Sequence, residues 1–392
     1  MALLNGVKDE ESALLFELTE DQRMLSEMVG RLSVDQHSLE ARRAAMRSDE
    51  GWLPDFWSHL SALGVLAAAL PADVGGLDGG PIMTMLIQRA FGRQLVLSPF
   101  ASTMAAAMLI ARCGGEAQRE TILPAILAGE CRIALAVSER NDASLDHIAT
   151  IARGGNAAGY RLIGRKPLIV GAPWCTHVVV AARVADEDAL AAFLVPWESL
   201  APSARVFQTI DGGRAADLRI DLAVPTTARI AAERDIAADL ERMSDEMAMA
   251  LCADACGSAE ALLDATVAYA KTRRQFGQAI GRFQVLQHRM VDMMMERDQS
   301  IVVTHRAALS LDDDRIERKR AVSAAKAHVG RAGRRLAQAA VQIHGGIGIT
   351  DELDVSHHFR RIEMLDMQYG SAKSHMRRYA DLLDEAPARL RA

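Results

Sequence analysis

The sequence predicts an α+β chain in three successive parts: an N-terminal all-α domain over residues 1–130, a middle antiparallel β domain over 131–233, and a C-terminal helical domain over 234–392. Three observations carry this. Up to about residue 130, apolar residues recur at the three- and four-residue spacing of amphipathic helices. From about Arg132 to about Ile230 that spacing gives way to short β-branched runs separated by glycine, proline and charged turns, which is a strand pattern. From Asp235 helical spacing returns and persists.

Composition bounds the function classes. Half of the 392 residues are hydrophobic and 24% are charged, so a soluble chain of two or three domains has apolar mass to bury. The net charge of −6 supplies no basic surface for nucleic acid. Cys113, Cys131, Cys175, Cys252 and Cys256 form no C-x-x-C pair, and five cysteines set up no disulfide framework. They read as small buried residues of a reducing compartment. The start, MALLNGVKDEESALLFELTEDQ, lacks the cationic n-region of a signal peptide. No run reaches the ~18 apolar residues of a membrane span. A cytoplasmic protein without a membrane anchor is the expectation.

Taken in order, Thr19 caps a helix beginning EDQRMLSEMVGRL, with carboxylates in its first turn, where the helix dipole favours them. LPDFWSHLSALGVL is a second helical segment, and PADVGGLDGG breaks the pattern. PIMTMLIQRAFGRQL resumes it with Pro81 in the first turn, and EAQRETILPAILAGE closes the lobe. IALAVSE, YRLIGRKPLIV, THVVVAARV, AAFLVPW and DLRIDLAVP are the expected strands. In the last long helix Val322, Ala325, Val329, Ala332, Leu336, Ala340 and Ile343 form an apolar stripe that ends at Gly345-Gly346. Its small residues predict close packing against a neighbour.

Four stretches together are specific: FELTEDQRML at 16–25, GGEAQRETILPAILAGE at 114–130, KTRRQFGQAIGRFQVLQHRMVDMMM at 271–295 and QIHGGIGITDELDVSHHFRR at 342–361. As a set, in this order over nearly the whole chain, they resemble the acyl-CoA dehydrogenase family. The C-terminal stretch is most similar to the small subunits of two-subunit enzymes such as pimeloyl-CoA dehydrogenase. The resemblance implies a C-terminal four-helix bundle, FAD as cofactor and an acyl-CoA substrate that undergoes α,β-dehydrogenation in fatty acid or steroid side-chain degradation. It also implies a homo- or hetero-oligomer and electron-transfer flavoprotein as electron acceptor.

The resemblance also implies a flavin site. Arg273 and Gln275 stand at a helix end beside Phe276 and Gly277. The matching family arginine pairs with the FAD pyrophosphate, a task that suits a fixed fork of charged donors. Arg274 is adjacent, and either arginine could be the solvated one. Gln284 and Gln342 can donate and accept. Gly345 and Gly346 follow Gln342 and allow close backbone approach; in the family this segment reaches a flavin held mainly by a neighbouring subunit. In AVSERNDASLD, Ser138 can offer a hydroxyl to the ring, while the usual proline and glycines of that strand are gone. Leu168 and Val170 fall where a ring-covering tryptophan and a bonding threonine are usual; Trp174, six residues beyond Leu168, reads as core. Gly370 and Ser371 match an FAD-contacting pair.

The family's catalytic glutamate does not appear at its usual place. Counted from Gln342, that place falls on Tyr369 in QYGS. A tyrosine starts near pKa ~10, and burial raises it. Some members carry the base on another helix, a place that here falls on Met247, with Ala248 where an arginine normally follows. Glu246 is one residue off, a rotation of about 100°; Glu241, Glu363 and Asp366 are more distant candidates. A partner subunit bearing the glutamate, a structural subunit holding little flavin, and a repurposed flavoprotein oxidase or monooxygenase are the readings this leaves. His344, His357 and His358 come without a metal-ligand pattern and read as surface or interface histidines.

Overall fold

The structure, a computed structural model, describes residues 18–384 except 141, 143, 157, 158, 186, 188, 232 and 233. The acidic N-terminal stretch, including the first two residues of FELTEDQRML, lies outside the described residues. The N-terminal lobe comprises α1 (Glu20–Gln36), α2 (Leu39–Arg47), α3 (Pro54–Ala62), α4 (Gly80–Arg93), α5 (Phe100–Cys113) and α6 (Glu116–Leu127). Thr19 caps α1 with a full capping box. Its hydroxyl accepts from the Gln22 N–H at 3.2 Å, and the Gln22 side chain accepts from the Thr19 N–H at 3.0 Å.

The middle domain holds β1 (Ile133–Ala136), β2 (Ile151–Asn156), β3 (Gly159–Val170), β4 (His177–Val184), β5 (Ala189–Pro196), β6 (Ala204–Gln208), β7 (Arg214–Val224) and β8 (Arg229–Ile230). The sheet runs β6-β7-β3-β2-β4-β5-β8, with β1 also on β4. It is mixed, which corrects the antiparallel expectation: β1 and β2 each pair with β4 in parallel. A parallel pair cannot be joined by a hairpin and needs a crossover connection, and neither β1 and β4 nor β2 and β4 are consecutive strands. The strand pattern also left out β2, whose IARGGN carries two glycines at positive φ.

The C-terminal lobe is α7 (Ala237–Thr272), a hairpin of β9 (Arg274–Gln275) and β10 (Gln278–Ala279), α8 (Gln284–Leu309), α9 (Arg315–His344), α10 (Asp354–Asp366) and α11 (Ala372–Asp384). All seven residues of the predicted stripe on α9 are buried. Small residues let helices touch. A Cβ on Gly92 of α4 would sit 1.9 Å from the Asp254 carbonyl oxygen of α7, and one on Gly257 would sit 2.0 Å from that of Arg89. The α4–α7 crossing therefore brings two backbones into contact and seats the N-terminal lobe on the long helix that also walls the site.

Candidate functional site

Where the three parts meet, a cavity of about 330 Å³ is lined by α4 and the start of α5, by β3 and the segment after β1, and by α7 and α10 with the turn that follows it. Ser138, Leu168, Val170 and Tyr369 line it together, as does Met247. The β3–β7 register shifts between Lys166 and Ile169. In that bulge Leu168 adopts φ +50° and gives its N–H to Asp217 Oδ1 at 2.9 Å. Val170 offers the cavity no donor. The Ser138 hydroxyl is turned to its own chain, donating to the Arg140 carbonyl at 2.5 Å. Trp174 is core and wall at once: it is buried, stacks on Trp52 at 6.0 Å and lines the cavity.

Tyr369 is the second left-handed non-glycine residue on this cavity, at φ +52°. Two non-glycine residues in that region, each costing roughly 1–3 kcal/mol, are held there by their surroundings. Burial raises the Tyr369 phenol above its ordinary value. Gly370 takes φ +90°, and Ser371 precedes α11: its hydroxyl accepts from the Ser374 N–H at 3.3 Å. Neither lines the cavity.

The carboxylates on the cavity wall are Glu139 and Asp211, and both are engaged. Glu139 accepts from Lys166 Nζ at 2.8 Å, from the Thr150 hydroxyl at 2.6 Å, and from the N–H groups of Ala149 and Thr150. Burial opposes its charge, but Lys166 and Thr150 outweigh that and hold it below the usual carboxylate range. Fully buried Lys166 is itself pushed down to about 8 by desolvation, against the pull of Glu139. Glu246 lies elsewhere, on the wall of a second, smaller cavity. It forms a bidentate pair with Arg112 at 2.7 and 3.2 Å and accepts from Arg242 at 3.2 Å. The one-residue offset from Met247 is preserved, and it turns the carboxylate to another face of α7. Glu241 pairs with Arg315 at 2.5 Å, and Glu363 pairs with Arg334 at 2.8 and 2.9 Å. Asp366 accepts the Ala372 N–H at 2.9 Å.

At one end of the cavity stands a buried polar cluster that the sequence reading did not find. Arg361 of α10 donates Nε to Asp254 Oδ1 at 3.0 Å, Nη2 to Asp254 Oδ2 at 2.5 Å and Nη1 to Asp211 Oδ2 at 2.8 Å. Gln88 of α4 gives its Nε2 to Asp254 Oδ2 at 2.8 Å. Arg42 donates to the carbonyls of Asp211 and Leu95. Burial works against the Arg361 charge, but Asp254 and Asp211 overcome it and raise it further. Asp211 is held low because Arg361 and Thr209 outweigh its own burial. The five linked residues are up to 319 positions apart, and no local pattern joins them.

The remaining anticipated residues form a separate group. Arg273 follows the last turn of α7; Arg274–Gln275 and Gln278–Ala279 pair around a tight turn in which Phe276 and Gly277 both have positive φ. Arg273 through Gly277 are exposed, Phe276 by 90%. Arg274 reaches back to the Gly277 carbonyl at 3.4 Å, whereas the Arg273 side chain has no partner among the described residues. Tyr269 stacks on His344 at 4.4 Å, which places the Gln342–Gly346 segment beside this hairpin. Gln284, Gln342, Gly345 and Gly346 are exposed, and a Cβ on either glycine would meet nothing within 4 Å. Leu251 at the cavity and Thr272 at the hairpin are 21 residues apart on one continuous helix, about 32 Å.

The three histidines read as surface or interface residues are buried within the chain: His344, His357 and His358 are 5%, 2% and 2% exposed. His344 closes α9 stacked on Tyr269 of α7, and His357 and His358 lie on the buried side of α10.

Two family models match this chain: the acyl-CoA dehydrogenase N-terminal domain over residues 19–130 and the acyl-CoA dehydrogenase C-terminal domain over residues 240–383. Acyl-CoA dehydrogenase IpdE2 of Mycolicibacterium smegmatis is 28% identical over 364 residues, covering 92% of this chain and 98% of that one. Among solved structures, a steroid acyl-CoA dehydrogenase variant, Tcur3481-Tcur3483, superposes with a TM-score of 0.85 at 25% identity over 93% of this chain and 98% of that one. The ChsE4-ChsE5 complex of Mycobacterium tuberculosis superposes with a TM-score of 0.84 at 25% identity, over 95% and 100%.

Proposed function

The chain belongs to the acyl-CoA dehydrogenase family of oxidoreductases, and from that premise we propose that it is an FAD-dependent subunit for α,β-dehydrogenation of an acyl-CoA that works with a glutamate-bearing partner. One observation carries this reading: among the described residues, no carboxylate on the cavity wall is free to take a proton. Removal of the α-proton needs a base whose pKa lies near the working pH. Glu139 and Asp211 are held below that range by Lys166 and Arg361. The Tyr369 phenol is held above it by burial.

The residues fit FAD at one end better than at the other. Arg273, unpaired and exposed, suits a diphosphate, and the open space before Gly345 and Gly346 admits a phosphate to the main chain. Bound FAD supplies the two-electron acceptor for the β-hydrogen. About 32 Å of helix separates that end from the cavity, so one chain presents two half-sites. This supports an oligomer in which the Arg273 hairpin, with Gln275, Phe276, Gln284 and Gln342, completes the neighbour's flavin site. Relatives solved as complexes, such as ChsE4-ChsE5, support a hetero-oligomer, and electron-transfer flavoprotein is the proposed acceptor.

A second reading, a structural subunit with little flavin of its own, is favoured by the ring end. The Ser138 hydroxyl and the Leu168 N–H already have partners within the chain, and Val170 has no donor. The test is co-purification from the native source followed by assay of the chain with and without its partner. Turnover that requires a glutamate-bearing partner, with tightly bound flavin, supports the first reading. A flavin-free complex whose activity resides wholly in the partner supports the second. Flavin that acyl-CoA fails to bleach without oxygen points instead to an oxygen-using flavoprotein.

A further inference from the structure

The polar end of the cavity holds a buried side-chain acceptor without a partner. Gln88 is 6% exposed and lines the cavity, and its Oε1 has no hydrogen-bond partner. The orientation of this amide is set by chemistry: Asp254 Oδ2 can only accept, so the NH₂ faces it at 2.8 Å and the oxygen is left over. An unpaired acceptor at such depth costs about 1–3 kcal/mol unless something donates to it. Arg361 lines the same cavity. Its guanidinium carries five N–H groups, and the carboxylates of Asp254 and Asp211 take three. The cavity end therefore combines an acceptor that has no partner and is covered by its neighbours with two Arg361 N–H groups that the carboxylates leave over.

Charge narrows the ligand class. Asp211 and Asp254 are balanced by Arg361 and Arg42 within one cluster, in which Asp211, Asp254 and Arg42 are buried and the Arg361 side chain is 13% exposed. A carboxylate added there would be an uncompensated buried charge, which is strongly disfavoured. A ketone could accept from Arg361 but would oppose its lone pairs to Gln88 Oε1. A hydroxyl satisfies both, donating to Gln88 and accepting from Arg361. The rest of the wall, including Leu97, Leu135, Leu251 and Leu365, is apolar.

We propose that this cavity selects an acyl thioester whose acyl group is apolar except for a hydroxyl remote from the thioester, with Gln88 and Arg361 as the specificity residues. This rests on the reading that the cavity receives the acyl group of an acyl-CoA. The natural assembly, purified with its partner, is titrated calorimetrically with a positional series of hydroxyacyl-CoAs, chain and ring, and with the deoxy parent of each. At least one hydroxylated member is expected to bind about tenfold or more tightly than its parent. Gln88→Met, close in size, is expected to abolish that preference while binding the deoxy parent at least as well. Equal binding of every pair by the wild-type assembly overturns the inference and leaves the proposed function in place. Binding of no member overturns both.

Discussion

His375 donates its Nε2–H to the main-chain carbonyl of Tyr369 across 2.8 Å. A carbonyl can only accept, so the proton is on Nε2, and Nδ1 is left to accept from the Ser323 hydroxyl at 3.3 Å. The ring is neutral: burial pushes His375 down to about 3. This bond clamps the left-handed turn that presents Tyr369 to the cavity, and it links α9, α11 and the turn before α11 in one arrangement.

His375 and His358, the latter also pushed down to about 3 by burial, should make the protein acid-sensitive. The sign follows from proton counting. Below pH ~6.5 the unfolded chain protonates these rings while the folded chain excludes the proton, so stability falls as pH falls. Each should cost about 2 kcal/mol between pH ~8 and pH ~5. Denaturant midpoints across that interval measure the loss, and His358→Gln should reduce it.

The chain by itself should turn over acyl-CoA poorly or not at all. Loss of a general base typically costs about 10²–10⁴-fold. Tyr369→Glu restores a carboxylate at a backbone position already left-handed, so it adds no new class of strain, and it should raise turnover. Single-turnover bleaching of bound flavin in the wild type and the variant reads this directly. Glu246→Gln should leave turnover by the natural assembly unchanged, since Arg112 and Arg242 hold Glu246 away from the cavity.

Arg273→Ala should weaken flavin retention by the assembled oligomer about tenfold, the loss of one charge-assisted contact worth roughly 1.5–3 kcal/mol. Arg274→Ala should have a smaller effect, because that side chain is already folded back on its own hairpin. Flavin content after gel filtration measures both.

Gly92→Ala and Gly257→Ala should each destabilise the fold by about 1–3 kcal/mol or more, because the added methyl meets main-chain oxygen of the crossing helix. Gly346→Ala should leave folding unaffected, since nothing lies within 4 Å. Thermal midpoints distinguish the two cases.

The α–β–α order, the capping box at Thr19 and the buried stripe from Val322 to Ile343 were legible in the sequence, because each is written in neighbouring residues: an oxygen three positions from an N–H, or an apolar residue every turn. The absence of a glutamate at QYGS was legible for the same reason. What only the tertiary structure decided is how distant residues meet. The parallel pairing of β1 and β2 with β4 depends on crossovers that strand composition does not encode. Gln88, Asp211, Asp254 and Arg361 each read alone as one polar residue on a helix or loop. They become a buried, nearly saturated cluster only because α4, α7, α10 and the loop before β7 converge on one cavity. Helical and strand periods record which face of an element is apolar; they carry no record of which charge lies opposite which, and that pairing is fixed by close packing between elements.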